Sequence, residues 1–261
     1  MGMNVLSDPG SRIVVAHRGT SAHFPENTSA AFDHAISLGV DAIEFDLRVS
    51  RDGVVVVIHD PTVDRTTNGT GAVAELALSE LKQLDAGARF TLDGGRTYPW
   101  RGRGLQILTF DELLTRYESI PLLIEVKVAE AVEGARRAIE QHGSVGRVLM
   151  DSALLEGVAP FRGTSILSGA CFDDVLSLLP RAFLGRAPDS VPYRALCIPR
   201  WYKGLPIPVA RLANLVRSRG VATHVWTVND SAIAQRLWAS GINGIISDDP
   251  ETMLELRRAI G

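Results

Sequence analysis

An apolar run, Val14-Val15-Ala16, stops abruptly at His17-Arg18-Gly19. Here a proton-transfer group stands beside a five-donor cation, followed by a residue that lets backbone approach closely, which together suit a phosphate pocket. A second run, Ile43-Glu44-Phe45-Asp46-Leu47, sets two carboxylates two residues apart, on one face if the segment is a strand. Burying such a pair is costly unless one is protonated or a cation lies between them, and a hard divalent ion with oxygen ligands, Mg²⁺ or Ca²⁺, resolves the conflict. The third cluster, Leu122-Leu123-Ile124-Glu125-Val126-Lys127, again carries charge at alternate positions. Glu125 can complete a three-carboxylate site with Glu44 and Asp46, and Lys127 offers a point charge to an anionic oxygen. Val57-Ile58-His59-Asp60 supplies a second imidazole. Two histidines, two cations and a metal suit phosphodiester cleavage, which needs a base, an acid and positive charge on the non-bridging oxygens. The competing structural readings are a hydrogen-bonded core histidine, a solvent-facing carboxylate and a Glu125–Lys127 ion pair inside the fold.

The other imidazoles carry less. His23 precedes Pro25-Glu26-Asn27 in a loop, His34 and His142 fall on or at the end of helical patterns and read as surface residues, and His224 lies two residues before Trp226, so both are expected at the interior or mouth of the fold. Trp226 is the pocket candidate, with an aromatic face for glycerol carbons or a choline-like cation.

These groups need a scaffold that brings strand ends together. Short β-branched runs alternate with helix-period stretches throughout, the pattern of parallel β/α construction. Strands are expected at 13–16, 42–46, 122–126, 147–150, 165–168, 195–198, 222–227 and 244–247. Eight such strands close a TIM (β/α)8 barrel, whose strand C-terminal ends face the active site. Helices are expected at 28–38, 129–141, 209–219, 231–239 and 250–260, with Asp230 and Asp249-Pro250 as caps. The stretch 180–192 has room for a further strand. Val54–Ile58 follows a hairpin signal at Asp52-Gly53, so it should run antiparallel and bring His59 opposite the Glu44–Asp46 stretch. Residues 60–109 dissolve into turns around one short helical piece at 79–84, a loop-rich insertion of the kind that forms lids and binding walls.

The 261 residues match one barrel domain, 1–261, with 60–109 inside it. With 46% hydrophobic and 22% charged residues the chain is a globular protein, and a net charge of -3 gives no field for nucleic acid. Cys171 and Cys197 lack metal or redox spacing and read as reduced core residues. The opening MGMNVLSDPGSR lacks a basic-then-apolar leader, and no apolar run approaches the roughly 20 residues of a membrane span, so a cytoplasmic location is expected.

Taken together, Ala16-His17-Arg18-Gly19, Pro25-Glu26-Asn27-Thr28, Ile43-Glu44-Phe45-Asp46-Leu47, Val56-Val57-Ile58-His59-Asp60, Val63-Asp64-Arg65-Thr66-Thr67, Ile124-Glu125-Val126-Lys127 and Val225-Trp226-Thr227-Val228-Asn229 resemble the glycerophosphodiester phosphodiesterase family in order and spacing over essentially the whole chain. The resemblance implies a TIM barrel with an insertion after the His59 strand, acting on small glycerophosphodiesters. It implies His17 and His59 as the acid/base pair, Arg18 and Lys127 as phosphate contacts, and Glu44, Asp46 and Glu125 as metal ligands. It also implies attack by the glycerol 2-hydroxyl on phosphorus and a cyclic phosphate later opened by water. The chain departs from the family where a Ser-Phe-Asp segment usually follows strand five, showing Ser168-Gly169-Ala170-Cys171-Phe172-Asp173, and in the loop Pro199-Arg200-Trp201-Tyr202-Lys203, which bears on the alcohol pocket. A phospholipase-D-like barrel acting on lysophospholipids is the nearest alternative. It needs a lipid entrance, toward which the insertion offers only Phe90, Tyr98 and Trp100. A barrel kept only for binding would be expected to show a broken catalytic set, and here the set is whole.

Overall fold

The computed structural model describes residues 4–261; the first three residues of the opening stretch lie outside the described residues. Eleven strands are present among them: β1 (Ile13–His17), β2 (Ala42–Val49), β3 (Val55–Val57), β4 (Leu122–Val126), β5 (Val148–Asp151), β6 (Leu167–Ser168), β7 (Ala195–Pro199), β8 (Trp201–Tyr202), β9 (Leu205–Pro206), β10 (Ala222–Trp226) and β11 (Gly244–Ser247). Eight of them run parallel in the order β6-β5-β4-β2-β1-β11-β10-β7. A single parallel bridge between Gly169 and Ala195 joins the two ends, so the sheet closes into the expected eight-stranded barrel. All eight expected strands lie in this ring, β6 reduced to two residues.

Among the described residues nine α-helices accompany the strands: α1 (Ser29–Leu38), α2 (Leu78–Leu81), α3 (Phe110–Arg116), α4 (Ala131–Gln141), α5 (Leu155–Val158), α6 (Phe172–Leu184), α7 (Val209–Arg217), α8 (Ser231–Ala239) and α9 (Pro250–Ile260). The caps read from the sequence form: Asp230 accepts from the Ile233 N–H and Asp249 from the Thr252 N–H. The further strand allowed for at 180–192 does not form. Those residues begin inside α6, and Pro180 sits within that helix. Proline there frees the carbonyl of Leu176, and Leu176 is exposed, so water can take the lost bond.

Side chains alternate along each barrel strand between two cores. Outward-facing residues such as Val14, Ile43, Ile124, Met150 and Ile245 join the main cluster with the helices. Inward-facing Ile13, Val15, Ala42, Leu123, Leu149, Ala195 and Ile246 fill the barrel, with Leu6 packed among them. The antiparallel hairpin also forms, with Leu47 opposite Val57 and Val49 opposite Val55. Its turn needs Gly53, at φ 82°. The loop-rich stretch after β3 is held by a small core of its own, including Val63, Val73, Leu81 and Ile107. Among the described residues no helix is long and apolar enough to cross a membrane.

Candidate active site

Above the apolar layer of Leu123 and Ile246, the next inward positions are polar, and they enclose a cavity of about 120 Å³. His17, Arg18, Glu44, His59, Glu125, Lys127, Asp151, Cys197 and Trp226 all line it. The seven charged or imidazole side chains singled out in the sequence therefore meet, with Asp46 buried against the same group. Cys197, expected as plain core, is half-buried and faces the cavity, because its inward position on β7 falls in the polar layer.

The strand register does this. Parallel pairing sets His17 beside Glu44 and Asp46 beside Glu125. The hairpin carries His59 back, with the Ile58 N–H donating to the Asp46 carbonyl at 3.0 Å. At the end of β1 the chain turns sharply, with Arg18 at φ 55° and Gly19 at φ 82°. A Cβ on Gly19 would stand 2.6 Å from the Ala31 backbone, so the turn depends on glycine. The turn aims the Arg18 N–H at the Glu44 carbonyl, 2.9 Å away, and at the Glu44 carboxylate, 3.0 Å away.

Each cavity histidine is backed by a carboxylate. His17 Nδ1 lies 2.6 Å from Asp248, which also accepts from Ser21 and Asn229, at 2.8 Å each. Burial, the largest single influence, would lift the Asp248 pKa, but the His17 hydrogen bond and charge together with the Asn229 and Ser21 hydrogen bonds overcome it and hold that carboxyl at about 2. An ionised carboxylate only accepts, so His17 carries its proton on Nδ1 and turns Nε2 toward Glu44, 4.0 Å away. Burial lowers the His17 pKa, but Asp248 and Glu44 together leave it raised. His59 Nδ1 lies 2.6 Å from Asp60. Arg65 grips that carboxylate and, with the His59 hydrogen bond, holds Asp60 well below the usual carboxylate range despite some burial. Arg65 also bridges to Glu26, and Glu26 accepts from Arg18 at 2.9 Å, so one chain of charges runs from Asp60 to Arg18.

The three carboxylates behave differently. Ligand oxygens of Glu44, Asp46 and Glu125 lie within 4.8 Å of one another, close enough to share one cation. Asp46 accepts from Asn27 at 2.9 Å, with Arg18 Nε 3.2 Å away and Lys127 Nζ 3.1 Å away as charge contacts. Burial opposes its ionisation, yet Lys127 and Arg18 keep its pKa lowered. Glu44 has no such cation against its carboxylate; burial first, then Asp46, raise its pKa well above the carboxylate range. Lys127 also contacts Glu125 at 2.7 Å, so the ion pair weighed for these two residues is present inside the group. A buried, under-compensated carboxylate beside two others is the donor set that a hard divalent cation fits.

Asp248, Asp60, Glu26, Arg65 and Asp151 had no role assigned from sequence. Of these, Glu26, Asp60 and Arg65 lie inside the segments that carry the family resemblance, and Asp248 sits two residues before the Pro250 that opens α9. His224, expected at the interior or mouth, lies at the bottom, fully buried, with Nε2 2.7 Å from the Leu6 carbonyl. Trp226 is at the mouth, 40% exposed. His34, expected on the surface, is half-buried and stacks on Phe24 at 4.5 Å. The mouth is also lopsided: exposed Leu155, Phe172, Trp201, Tyr202, Leu205 and Trp226 follow or end β5, β6, β7 and β10, four consecutive strands of the ring. Phe172 and Tyr202 pack ring to ring at 5.3 Å.

Comparison with known proteins agrees with this geometry. The Glycerophosphoryl diester phosphodiesterase family matches residues 17–252. A glycerophosphodiester phosphodiesterase of Caldanaerobacter subterraneus subsp. tengcongensis is 32% identical, over 95% of this chain and 99% of its own. Among solved structures, the glycerophosphoryl diester phosphodiesterase domain of a Mycobacterium tuberculosis protein superposes with a TM-score of 0.84 at 22% identity, covering 95% of this chain and 99% of that one. An Oleispira antarctica phosphodiesterase, solved in complex with its product sn-glycerol-3-phosphate, gives 0.73 at 24% identity, covering 95% and 97%. A match over nearly the whole chain, on a barrel of the same kind, means that this chain belongs to the glycerophosphoryl diester phosphodiesterase family, as a phosphoric diester hydrolase.

Proposed function

We propose that this chain hydrolyses glycerophosphodiesters to glycerol 3-phosphate and an alcohol, using His17 and His59 as its acid/base pair and a divalent cation, Mg²⁺ or Ca²⁺, held by Glu44, Asp46 and Glu125. The observation that carries this reading is two imidazoles, each fixed through Nδ1 by a carboxylate, facing one cavity that also holds two cations and a carboxylate triad. The Oleispira antarctica relative, with sn-glycerol-3-phosphate as its product, supports the substrate class. We read 1–261 as one barrel domain and 60–109 as an insertion that supplies Asp60 and Arg65 behind His59.

Arg18 and Lys127 bind the phosphate oxygens and set phosphorus between the histidines. With Nδ1 pinned, Nε2 of each histidine is the atom that moves a proton. One Nε2 takes the proton of the glycerol 2-hydroxyl as that oxygen bonds to phosphorus. The other protonates the leaving alkoxide as its P–O bond breaks, giving the alcohol and a cyclic phosphate. Water then opens the ring with the proton transfers reversed. A bound divalent ion supplies stabilisation of negative charge and lowers the pKa of a hydroxyl that it ligates. Trp226 packs on the carbon skeleton at the mouth.

Incubation with glycerophosphocholine and Mg²⁺ or Ca²⁺, following glycerol 3-phosphate with a coupled dehydrogenase, tests the proposal. Release abolished by excess chelator is the expected result. Release indifferent to chelator would remove the metal from the mechanism, and no release from any glycerophosphodiester would remove the function. The apolar half of the mouth favours a second reading, cleavage of lysophospholipids, because a hydrocarbon chain leaving the cavity past Trp226 would lie on Phe172, Tyr202 and Leu205. A higher kcat/KM for lysophosphatidylcholine than for glycerophosphocholine would select it.

A further inference from the structure

One wall of the cavity takes no part in the proton transfers, the cation site or the phosphate contacts. It is made by three adjacent strands, with Asp151 at the end of β5, Gly169 just beyond β6 and Cys197 on β7. Asp151 pairs in register with Glu125, so its side chain stands in the layer of the metal-type carboxylates, at the edge where that layer turns toward Cys197. Its Oδ1 is buried without a hydrogen-bond partner among the described residues. The space for that oxygen comes from Gly169, where a Cβ would stand 2.1 Å from it. A buried acceptor left unpaired destabilises the fold, and an apolar side chain of similar size would avoid that cost. A carboxyl kept there, facing a cavity and given room by a missing side chain, has the form of a ligand contact waiting for a donor.

The donor can be narrowed by charge and position. Phosphate oxygens are acceptors with negative charge, and the wall from Asp151 to Cys197 carries no cation to hold them, whereas Arg18 and Lys127, just beyond the ends of β1 and β4, supply that charge. The departing alcohol lies on the mouth side, beside Trp226. The part of a glycerophosphodiester left for the deep wall is the glycerol, whose primary hydroxyl is a donor not consumed by the chemistry. We propose that Asp151 is a specificity-determining residue that accepts a hydrogen bond from the primary hydroxyl of the glycerol moiety, and so selects glycerol phosphodiesters over phosphodiesters of other vicinal diols.

This rests on the glycerophosphodiester reading above, so the test uses both turnover and binding. The probe is 2-hydroxypropyl phosphocholine, which keeps the 2-hydroxyl needed for cyclisation and lacks only the primary one. Its product is 2-hydroxypropyl phosphate. Wild type should favour glycerophosphocholine over this analogue in kcat/KM, and sn-glycerol 3-phosphate over its deoxy counterpart in calorimetric Kd, each by about tenfold or more. Asp151→Ala should bring both ratios close to one by losing the glycerol compound selectively. Asp151→Asn, which keeps a carbonyl acceptor and the side-chain volume, should retain part of the preference and serves if the alanine variant does not fold. Ratios unchanged in the variants, or equal losses on both compounds, would overturn the proposal and leave Asp151 a structural acid. A preference that shifts only when choline is replaced by ethanolamine would also overturn it, by placing the head group at this wall. If wild type turned over no phosphodiester, the functional reading would fail, while the binding ratios would still decide the role of Asp151.

Discussion

His17 and His224 both point into the barrel, one at the C-terminal ends of the strands and one near the opposite end. At the mouth, His17 faces Asp248 and Glu44, and its pKa is raised although burial pulls it down. At the bottom, His224 is enclosed by apolar residues with one backbone carbonyl as partner, and burial takes its pKa to about 4. With Nε2 donating to Leu6, its Nδ1 is a bare acceptor fitted against Gly244, where a Cβ would stand 2.1 Å away. One imidazole is surrounded so that its charge is welcome, the other so that charge is excluded. Two ends of one barrel thus serve different ends: the mouth holds charged groups in balance for chemistry, and the bottom uses His224, together with Asn243, to tie down the N-terminal segment.

The comparison breaks most visibly if the two histidines are exchanged in importance. His17→Ala should lower kcat by about 10²–10⁴-fold, the range for losing a positioned acid/base, while the denaturation midpoint stays near that of wild type. Near-normal turnover would refute the role given to His17. His224 should govern stability instead. Its folded pKa lies below the unfolded value of 6.5, so its contribution is complete above that pH and is lost as pH falls toward about 4. The window of about 2.5 units corresponds to roughly 3 kcal/mol of unfolding free energy. Urea unfolding between pH 7 and pH 4 should show this loss in wild type, and His224→Gln should flatten it. An unchanged slope in the variant would show that other groups carry the acid sensitivity. Between these in kind, Glu125→Ala should leave the fold intact and raise the divalent ion concentration needed for half-maximal activity by about tenfold or more. An unchanged requirement would take Glu125 out of the cation site.

How much of this contrast could be read in the sequence follows from how local its causes are. The barrel strands show as β-branched runs, and α8 and α9 begin where Asp230 and Asp249 cap them, because both signals are short-range. α3 does not show in the pattern although Thr109 and Glu112 form a reciprocal cap, since seven residues after a turn-rich stretch carry too little periodicity. α6 was hidden by its internal proline. Within the site, the histidines and acids at strand ends were legible because alternation fixes their face. Their partners were not: Asp248 reaches His17 only because the last strand pairs with the first, 231 residues apart, and Asp151 stands out only once Gly169 is seen opposite it. His224 sits two residues before Trp226 on the same side of β10, so alternation gave its face but not its depth.

The smallest expected effect tests whether charge balance at the mouth is a matter of position or of stability. Arg65 is half exposed, yet it joins Asp60 behind His59 to Glu26 behind Arg18. Exposed ion pairs contribute little to folding, about 1 kcal/mol or less, and salt screens them. Arg65→Ala should therefore shift the unfolding free energy by less than about 1 kcal/mol, and less still at high salt. It should nevertheless lower kcat, because Asp60 would be free to turn away from His59 Nδ1 and the imidazole would lose its fixed tautomer. Arg65→Lys, with a charge but no fork, should restore stability without restoring kcat. A variant whose kcat and stability fell in proportion would mean that the mouth, like the bottom, is built for the fold.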